Sequence, residues 1–592
     1  MIAPAVATFS MIIGHDLLLE SSMLLHLSHL FATVIALSYL HHVLFSNTKS
    51  KAVLWGLGLG SMVMVLNLLI LSRAQSMIAS QPSSNTAQHP IEILVQSARI
   101  SHTTSLEQQS RSYESAHQEY RRRYEIEPPP GFQEWYNYAV ELQSPIIDDY
   151  DTIMNSITPF LKLSGEEVIR AMNEVIKTPD VELWKCKFSS YSAELSCSHP
   201  TRKNDRHISS SLGHILGEFY GVLPDVDFLV NHLDEPRVLL PTSGSYDKYG
   251  SNKSFAVVDL AQQSTWEIIS QNCAENHVQD VADRNLDVGS TLVFLNNSSS
   301  AGDLCQHPKY SHMHGMLSSP TSFKLIKGLV PVLSTGSLST MGDILLPSPA
   351  YSEEQFEYQE SQDMPWASKK NEFFWTGSTT GGYVGQETTW SHFHRHRFVS
   401  LAQTFRTWTT STPSRNSKVS NGDGIGMVDW LVSYIVNKKL FNVSFTKIFQ
   451  CDPQACADQK SVFSMSPISP ASRIHKSRLT FDLDGNGISG RFYSLLASRS
   501  LPLKQTILRE WHDDRLVPWV HYVPISLGME ELQDVVWYFT VDARGKELAR
   551  EIAEEGRVWF GKAMREVDRG LYVYRLMLEL ARLQDPMRGP MK

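Results

Sequence analysis

A short apolar run, Leu479-Thr480-Phe481, leads into Asp482-Leu483-Asp484-Gly485-Asn486-Gly487-Ile488-Ser489-Gly490-Arg491-Phe492 and from there into a helical pattern. Three glycines within six residues let a backbone approach a ligand closely, and an arginine opening a helix is placed to face an anion. This strand, glycine loop and helix constrain the chain most, and they leave two ions of opposite sign open. As a calcium loop, the stretch offers oxygen donors at Asp482, Asp484 and Asn486 and the required glycine at Gly487. The twelfth position should then be a bidentate Glu, and it is Tyr493. The approach also reads as a strand, where an EF-hand needs a helix. Asp482-Leu483-Asp484 and Asp225-Val226-Asp227 further fit the Asp-x-Asp that holds a metal-bound nucleotide diphosphate, although turns supply such triplets freely.

At 592 residues the chain exceeds one ordinary core, which implies two folded domains plus extra segments. A net charge of -9 excludes a general nucleic-acid binder. The six cysteines, at 186, 197, 273, 305, 451 and 456, fall into three sequence-local pairs, as expected of a chain maturing in an oxidising lumen. Glycosylation sequons at Asn252, Asn296, Asn297 and Asn442 agree with that compartment.

Residues 52–72 carry no charge, and twenty-one residues at helical rise match the roughly 30 Å of a bilayer core. A second uncharged stretch, about 23–45, contains His26, His29, His41 and His42. Lys49 and Lys51 between them place that connection in the cytoplasm by the positive-inside tendency, which puts the large C-terminal part in the lumen. Residues 1–74 are accordingly expected as a membrane anchor of one or two transmembrane helices, and 75–118, rich in Ser, Gln, His and Thr, as a stem. Beyond it, strand-like runs such as Val226–Val230 and Thr291–Phe294 alternate with helical patterns, the signature of α/β layers.

Three further clusters carry candidate chemistry. Asp234 follows the apolar run 226–230 in Asn231-His232-Leu233-Asp234-Glu235-Pro236, and a carboxylate at a strand end can serve as a general base or simply cap a turn. Arg395 and Arg397 follow the Thr376–Gly382 turn and suit a phosphate or a solvated face. His392, His394 and His396, and His312 with His314, could ligate a metal, but no third ligand has zinc-site spacing and the interleaved arginines oppose a dication there.

Taken in order, Tyr120-Arg121-Arg122 with Pro129-Pro130-Gly131-Phe132, Leu223–Asp227 with Asn231–Pro236, Trp375–Gly382 with Arg395–Arg397, Asp482–Phe492 and Pro518-Trp519-Val520-His521-Tyr522-Val523-Pro524 resemble the fungal capsule-associated branch of glycosyltransferase family 90, which also contains the animal protein O-glucosyltransferases. The resemblance covers about residues 120–585. It implies an α/β fold of the GT-B type, two Rossmann-like domains facing a cleft and preceded here by the transmembrane helix or helices. The N-terminal, acceptor-side domain is expected over 119–335, the nucleotide-sugar domain over 336–545, and helices packing back on the core over 546–592. It also implies inverting transfer from a UDP-sugar, xylose ahead of glucose, to a glycan or glycoconjugate hydroxyl in the Golgi or endoplasmic reticulum, with no metal required. Asp234 then corresponds to the catalytic base. Ser378, Arg395, Arg397, Gly485, Asn486, Gly487, Ser489, Gly490, Arg491 and His521 correspond to the donor site, with Arg491 facing the diphosphate. The alternative is a lumenal calcium-binding or lectin-like glycan-binding protein without turnover.

Overall fold

The computed structural model describes residues 88–217, 219, 221–241, 255–273, 295, 302–407 and 440–591. The chain divides into two compact units, residues 1–87, 406–439 and 537–546 in one and 88–405, 440–536 and 547–592 in the other; the second holds all the described strands. In chain order these are β1 (Leu183–Ser189), β2 (Glu194–Ser198), β3 (Val226–Asn231), β4 (Val238–Leu239), β5 (Phe255–Asp259), β6 (Lys324–Gly328), β7 (Leu333–Ser334), β8 (Ile344–Leu345), β9 (Lys370–Ser378), β10 (Phe441–Lys447), β11 (Ser477–Leu483), β12 (Leu501–Gln505) and β13 (Val523–Pro524). The helices that matter for the site are α1 (Pro90–Glu107), α2 (Tyr113–Tyr124), α3 (Ile208–Gly217), α4 (His394–Thr407), α5 (Phe492–Ala497) and α6 (Glu566–Leu583).

The first sheet runs β2-β1-β3-β7-β8. Its β1–β2 hairpin and β1–β3 pair are antiparallel, and β3, β7 and β8 are parallel. Cys186 and Cys197 face each other across the hairpin and are joined there, while Cys273–Cys305 and Cys451–Cys456 complete three disulfides. A smaller sheet, β4-β6-β5, lies beside it in sequence.

The other five-stranded sheet is parallel throughout, in the order β10-β9-β11-β12-β13. Counted from its own first strand this is 2-1-3-4-5, so the strand order reverses between β9 and β11. Ligands of such sheets bind outside the carboxyl ends of the strands at that reversal. All seven residues of β11 are buried, as expected of a central strand covered on both faces. Phe481 packs on Phe373 and Phe398, and the one carboxylate in the strand, Asp482, is met by Lys504 Nζ at 3.1 Å. Lys504 also reaches Glu510 at 3.1 Å and lies 3.9 Å above the Phe492 ring, so a buried charge cluster anchors the strand that carries the glycine loop.

The α/β class stands, but the expected layout is corrected. Among the described residues no helix is long and apolar enough to cross a membrane. The stretches 23–45 and 52–72, and with them the expected anchor 1–74, lie outside the described residues. Both large sheets belong to one compact unit, and the first is mixed because its β1–β2 hairpin forces antiparallel pairing, so two facing Rossmann-like domains are not what the strands form. Residues 90–118, expected within a stem, form α1 and open α2; Arg99 of α1 is paired with Glu551 at 3.0 Å and Glu555 at 2.7 Å. The sequon at Asn442 sits inside β10, where its Nδ2 donates to Glu372 at 3.1 Å; those at Asn252, Asn296 and Asn297 lie outside the described residues.

Candidate active site

Three loops at the carboxyl ends of β3, β9 and β11 converge on a cavity of about 330 Å³. The first supplies Asn231, His232, Leu233 and Asp234, the second Thr380, and the third Gly485, Asn486, Gly487, Ile488 and Gly490. Pro349 and Phe356 close it from a separate segment. Residues about 250 positions apart in sequence thus share one wall.

The turn carrying Asp234 is built by Asn231, which ends β3. Its Oδ1 accepts the Leu233 amide at 2.9 Å and its Nδ2 donates to the Glu235 carbonyl at 2.8 Å, bracketing the turn as an Asx residue does. From below, the fully buried Arg237 donates to the same Asn231 Oδ1 at 3.2 Å and to the Glu182 carbonyl at 3.2 Å. Glu235 turns inward and accepts from Ser322 N at 3.1 Å and Ser322 Oγ at 2.9 Å; burial, then the neighbouring Asp234, push its pKa up to about 7. Asp234 points the other way. Its Oδ1 lies 2.6 Å from Arg206 Nη2, and Arg206 Nη1 donates to the His232 carbonyl at 3.1 Å, so one guanidinium spans the turn.

His232 also borders the cavity, yet it is not a competing base. Its Nδ1 accepts the Trp184 indole N–H at 3.1 Å, which places the ring proton of the neutral imidazole on Nε2. Burial, then Arg202 and Arg206, bring its pKa down to about 4, so it is neutral and a donor near neutral pH.

The glycine loop is held by its own side chains and by the β9 turn. Asn486 Oδ1 accepts the Gly381 amide at 3.1 Å and lies 3.3 Å from Thr321 Oγ1. Gly381 needs its left-handed φ of 112° to offer that amide. Gly487 presses directly on the Asp234 turn: a Cβ there would lie 2.2 Å from the Asp234 carbonyl oxygen. The helix that follows, α5, is only six residues long, so an anion at this loop would be met by the loop backbone and Arg491 more than by a helix dipole.

Arg491 lines an adjoining cavity of about 540 Å³ at the carboxyl ends of β9 and β10, which shares Gln355 and Phe356 with the first. Its Nη1 donates to the Thr376 carbonyl at 3.0 Å and its guanidinium lies 5.9 Å from the Trp375 ring. Burial lowers its pKa, opposed by Asp482. Phe374, Ile468, Pro470 and Ile474 give this cavity apolar walls beside the cation.

Other expected donor-site residues are committed to the fold. Arg395 is buried, with Nε donating to the Asp484 carbonyl at 2.7 Å, Nη2 to the Leu483 carbonyl at 3.2 Å, and Nη1 to the Ser378 carbonyl and Thr380 Oγ1; it shapes the loop from behind. Ser378 Oγ in turn lies 3.2 Å from Thr380 Oγ1. Arg397 donates to the carbonyls of Leu527 at 2.9 Å and Gly528 at 2.8 Å. Ser489 is turned onto the buried Asp482 carboxylate. His521 is buried away from the cavity, stacked on Trp559 at 5.3 Å, with Nδ1 accepting the Val517 amide at 2.9 Å.

The metal readings fare no better. Both carboxylates of the calcium-like loop point into the core: Asp482 to Lys504, and Asp484 Oδ2 to the Ile507 amide at 3.0 Å. Asp225 accepts the Ser190 amide at 2.7 Å and Asp227 pairs with Lys185 at 3.3 Å, at the opposite end of β3 from Asp234. Among the described residues no group of three metal-ligating side chains occurs.

Sequence reasoning missed Arg206 and the 349–356 segment. Arg206 and His207 adopt φ of 54° and 65°, a strained pair that no sequence pattern announces. The 349–356 segment reaches the cavity only through tertiary packing.

Residues 432–587 match the family model described as Glycosyl transferase family 90. A 95-residue stretch is 38% identical to an O-glucosyltransferase rumi homolog of Aedes aegypti, covering 15% of this chain and 22% of that protein. The family-model match makes residues 432–587 similar to glycosyltransferase family 90, and the name of the mosquito relative is that of a glycosyltransferase. The chain thus spans less than a quarter of the curated relative it matches, and neither match distinguishes the capsule-associated branch. The matched region includes the glycine loop and Arg491; Asp234 lies before it.

Proposed function

We propose that the chain is an inverting glycosyltransferase that moves a sugar from a UDP-sugar to a hydroxyl of a glycan or glycoconjugate, with Asp234 as general base. The observation that carries this reading is the meeting of Asp234 and the Gly485–Gly490 loop in one cavity, with Arg491 in the cavity beside it. The apolar-walled cavity suits the uracil base, Arg491 the diphosphate, and the central cavity the sugar. Asp234 takes the acceptor hydroxyl proton as that oxygen bonds to the anomeric carbon; the bond to UDP breaks and UDP leaves with the electron pair. The charge that develops on UDP is met by Arg491 and the loop amides, so the reaction needs no metal. A single displacement inverts the anomeric centre and requires no protein nucleophile. The family resemblance favours xylose as the donor sugar and the name of the mosquito relative favours glucose. Three disulfides support maturation in an oxidising compartment.

Replacing Arg491 tests the donor assignment. A charged hydrogen bond to phosphate contributes about 1.5–3 kcal/mol, so Arg491→Gln is expected to weaken UDP binding by about 10- to 100-fold in isothermal titration. An unchanged dissociation constant would remove Arg491 from the diphosphate site.

A further inference from the structure

The segment 347–357 walls more than the two cavities already described. On its other flank, against α3, lies a third cavity of about 530 Å³. Ser348, Pro349, Glu353 and Gln355 border both this cavity and the one holding Asp234. The strained pair Arg206-His207 divides between them: Arg206 grips Asp234 on one side, and His207 borders the outer cavity on the other. Consecutive non-glycine residues at positive φ persist where the surroundings fix them, here at the passage from one cavity to the next.

The face that α3 turns to this cavity is regular. Ser210, Ser211 and His214 share one side of the helix, His207 stands at its N-terminal boundary, and all four line the cavity. Opposite them stand Glu353 and Glu354, and α6 supplies Glu566 and Arg569. Glu566 lies 3.3 Å from His214, and Arg569 donates to Ser352 Oγ at 2.9 Å. Hydroxyl, imidazole and carboxylate groups at this density match a partner made of hydroxyls, and the volume is that of an ordinary ligand site. Three glutamates against one arginine repel an anionic partner.

We propose that this cavity is the outer acceptor subsite, which holds the neutral sugar residues of an oligosaccharide beyond the one whose hydroxyl meets Asp234. The proposal rests on the reading of the Asp234 cavity as the reaction centre. It assigns different tasks to the two flanks of that centre: the apolar-walled flank bearing Arg491, with Glu354 and Glu357 at its border, for the nucleotide, and a hydroxyl-rich flank with three glutamates for the glycan.

The test uses the full chain, the UDP-sugar it turns over, and neutral gluco-, xylo- and manno-oligosaccharides of one to four residues beside a matched oligogalacturonide series. Ser211→Trp and His214→Trp fill the cavity from exposed or half-exposed helix positions. In the wild type, kcat/KM is expected to rise at least tenfold from one to three neutral residues in one series, with no such rise for the uronates. Both variants should lose that gain while transfer to a single-residue acceptor and hydrolysis of the donor stay unchanged. A length gain that survives both substitutions, an equal gain for uronates, or equal losses on all acceptors would overturn the proposal. Failure of the catalytic reading looks different, because the wild type then neither transfers to any acceptor nor hydrolyses the donor. In that case saturation-transfer NMR of the neutral trisaccharides decides the subsite alone: signals lost in Ser211→Trp support it, and signals absent from the wild type or unchanged in the variant refute it.

Discussion

Asp234→Asn is expected to lower sugar transfer by about 10²- to 10⁴-fold, the usual contribution of a positioned general base, while leaving the UDP dissociation constant unchanged. Asparagine keeps the size of the side chain, and its Oδ1 can still accept from Arg206, which lies 2.6 Å from the native carboxylate. What it loses is the capacity to take a proton. The turn should survive, because it is fixed by Asn231, Glu235 and Arg237 and not by Asp234 itself. Steady-state kinetics and a UDP titration on the same preparation check both halves. An Asn variant that retains near-native turnover would remove Asp234 from the role.

Gly487→Ala should be almost as damaging, for a steric reason. The added Cβ would lie 2.2 Å from the Asp234 carbonyl oxygen, 2.9 Å from its carbon and 3.3 Å from its Cα. These are backbone atoms and cannot swing aside, so the glycine loop and the base-bearing turn must part. Misplacement by about 1 Å costs on the order of 10²-fold in rate when it falls between reacting groups. Turnover is therefore expected to fall by about that factor, with a smaller change in UDP affinity. Gly485→Ala is the control within the same loop. Its Cβ would meet Arg395 Nη2 at 3.6 Å and the Gly487 carbonyl oxygen at 3.8 Å, both ordinary contacts, so activity should stay close to native. Similar rates for the two variants would contradict the close approach at Gly487.

The parts of this site that were legible in the sequence are those whose signal is local. The strand, the three glycines and Arg491 lie within a few residues, and backbone sterics tie glycine spacing to a close-approach loop. Asp234 could be read because it follows an apolar strand run directly. Sequence-local cysteine pairs likewise anticipated the disulfides. Arg395, Arg397 and His521 stand off the cavity lining, which sequence could not show for a shared reason: it gives a charge or an imidazole but not what that group bonds. Arg395 and Arg397 spend their donors on backbone carbonyls, and His521 is stacked on Trp559. Ser489 and the two aspartates of the calcium-like loop were similarly absorbed by the core around Lys504 and Ile507. Arg206, His232 as a neutral donor, and the wall at Pro349 and Phe356 depend on contacts between distant segments, which no periodicity encodes. The sheet arrangement escaped for the same reason, since strand pairing and its direction are tertiary choices.

The central claim is that Asp234, the glycine loop and Arg491 form one reaction centre for a UDP-sugar. The most direct test is to incubate the protein with UDP-xylose, UDP-glucose and other UDP-sugars plus a mixed oligosaccharide acceptor in EDTA, and to measure UDP release and the anomeric configuration of the product. Acceptor-stimulated UDP release is expected from at least one donor at a rate unaffected by EDTA, with an inverted anomeric centre. Absence of UDP release from every donor, retention of configuration, or a rate that EDTA abolishes would contradict it.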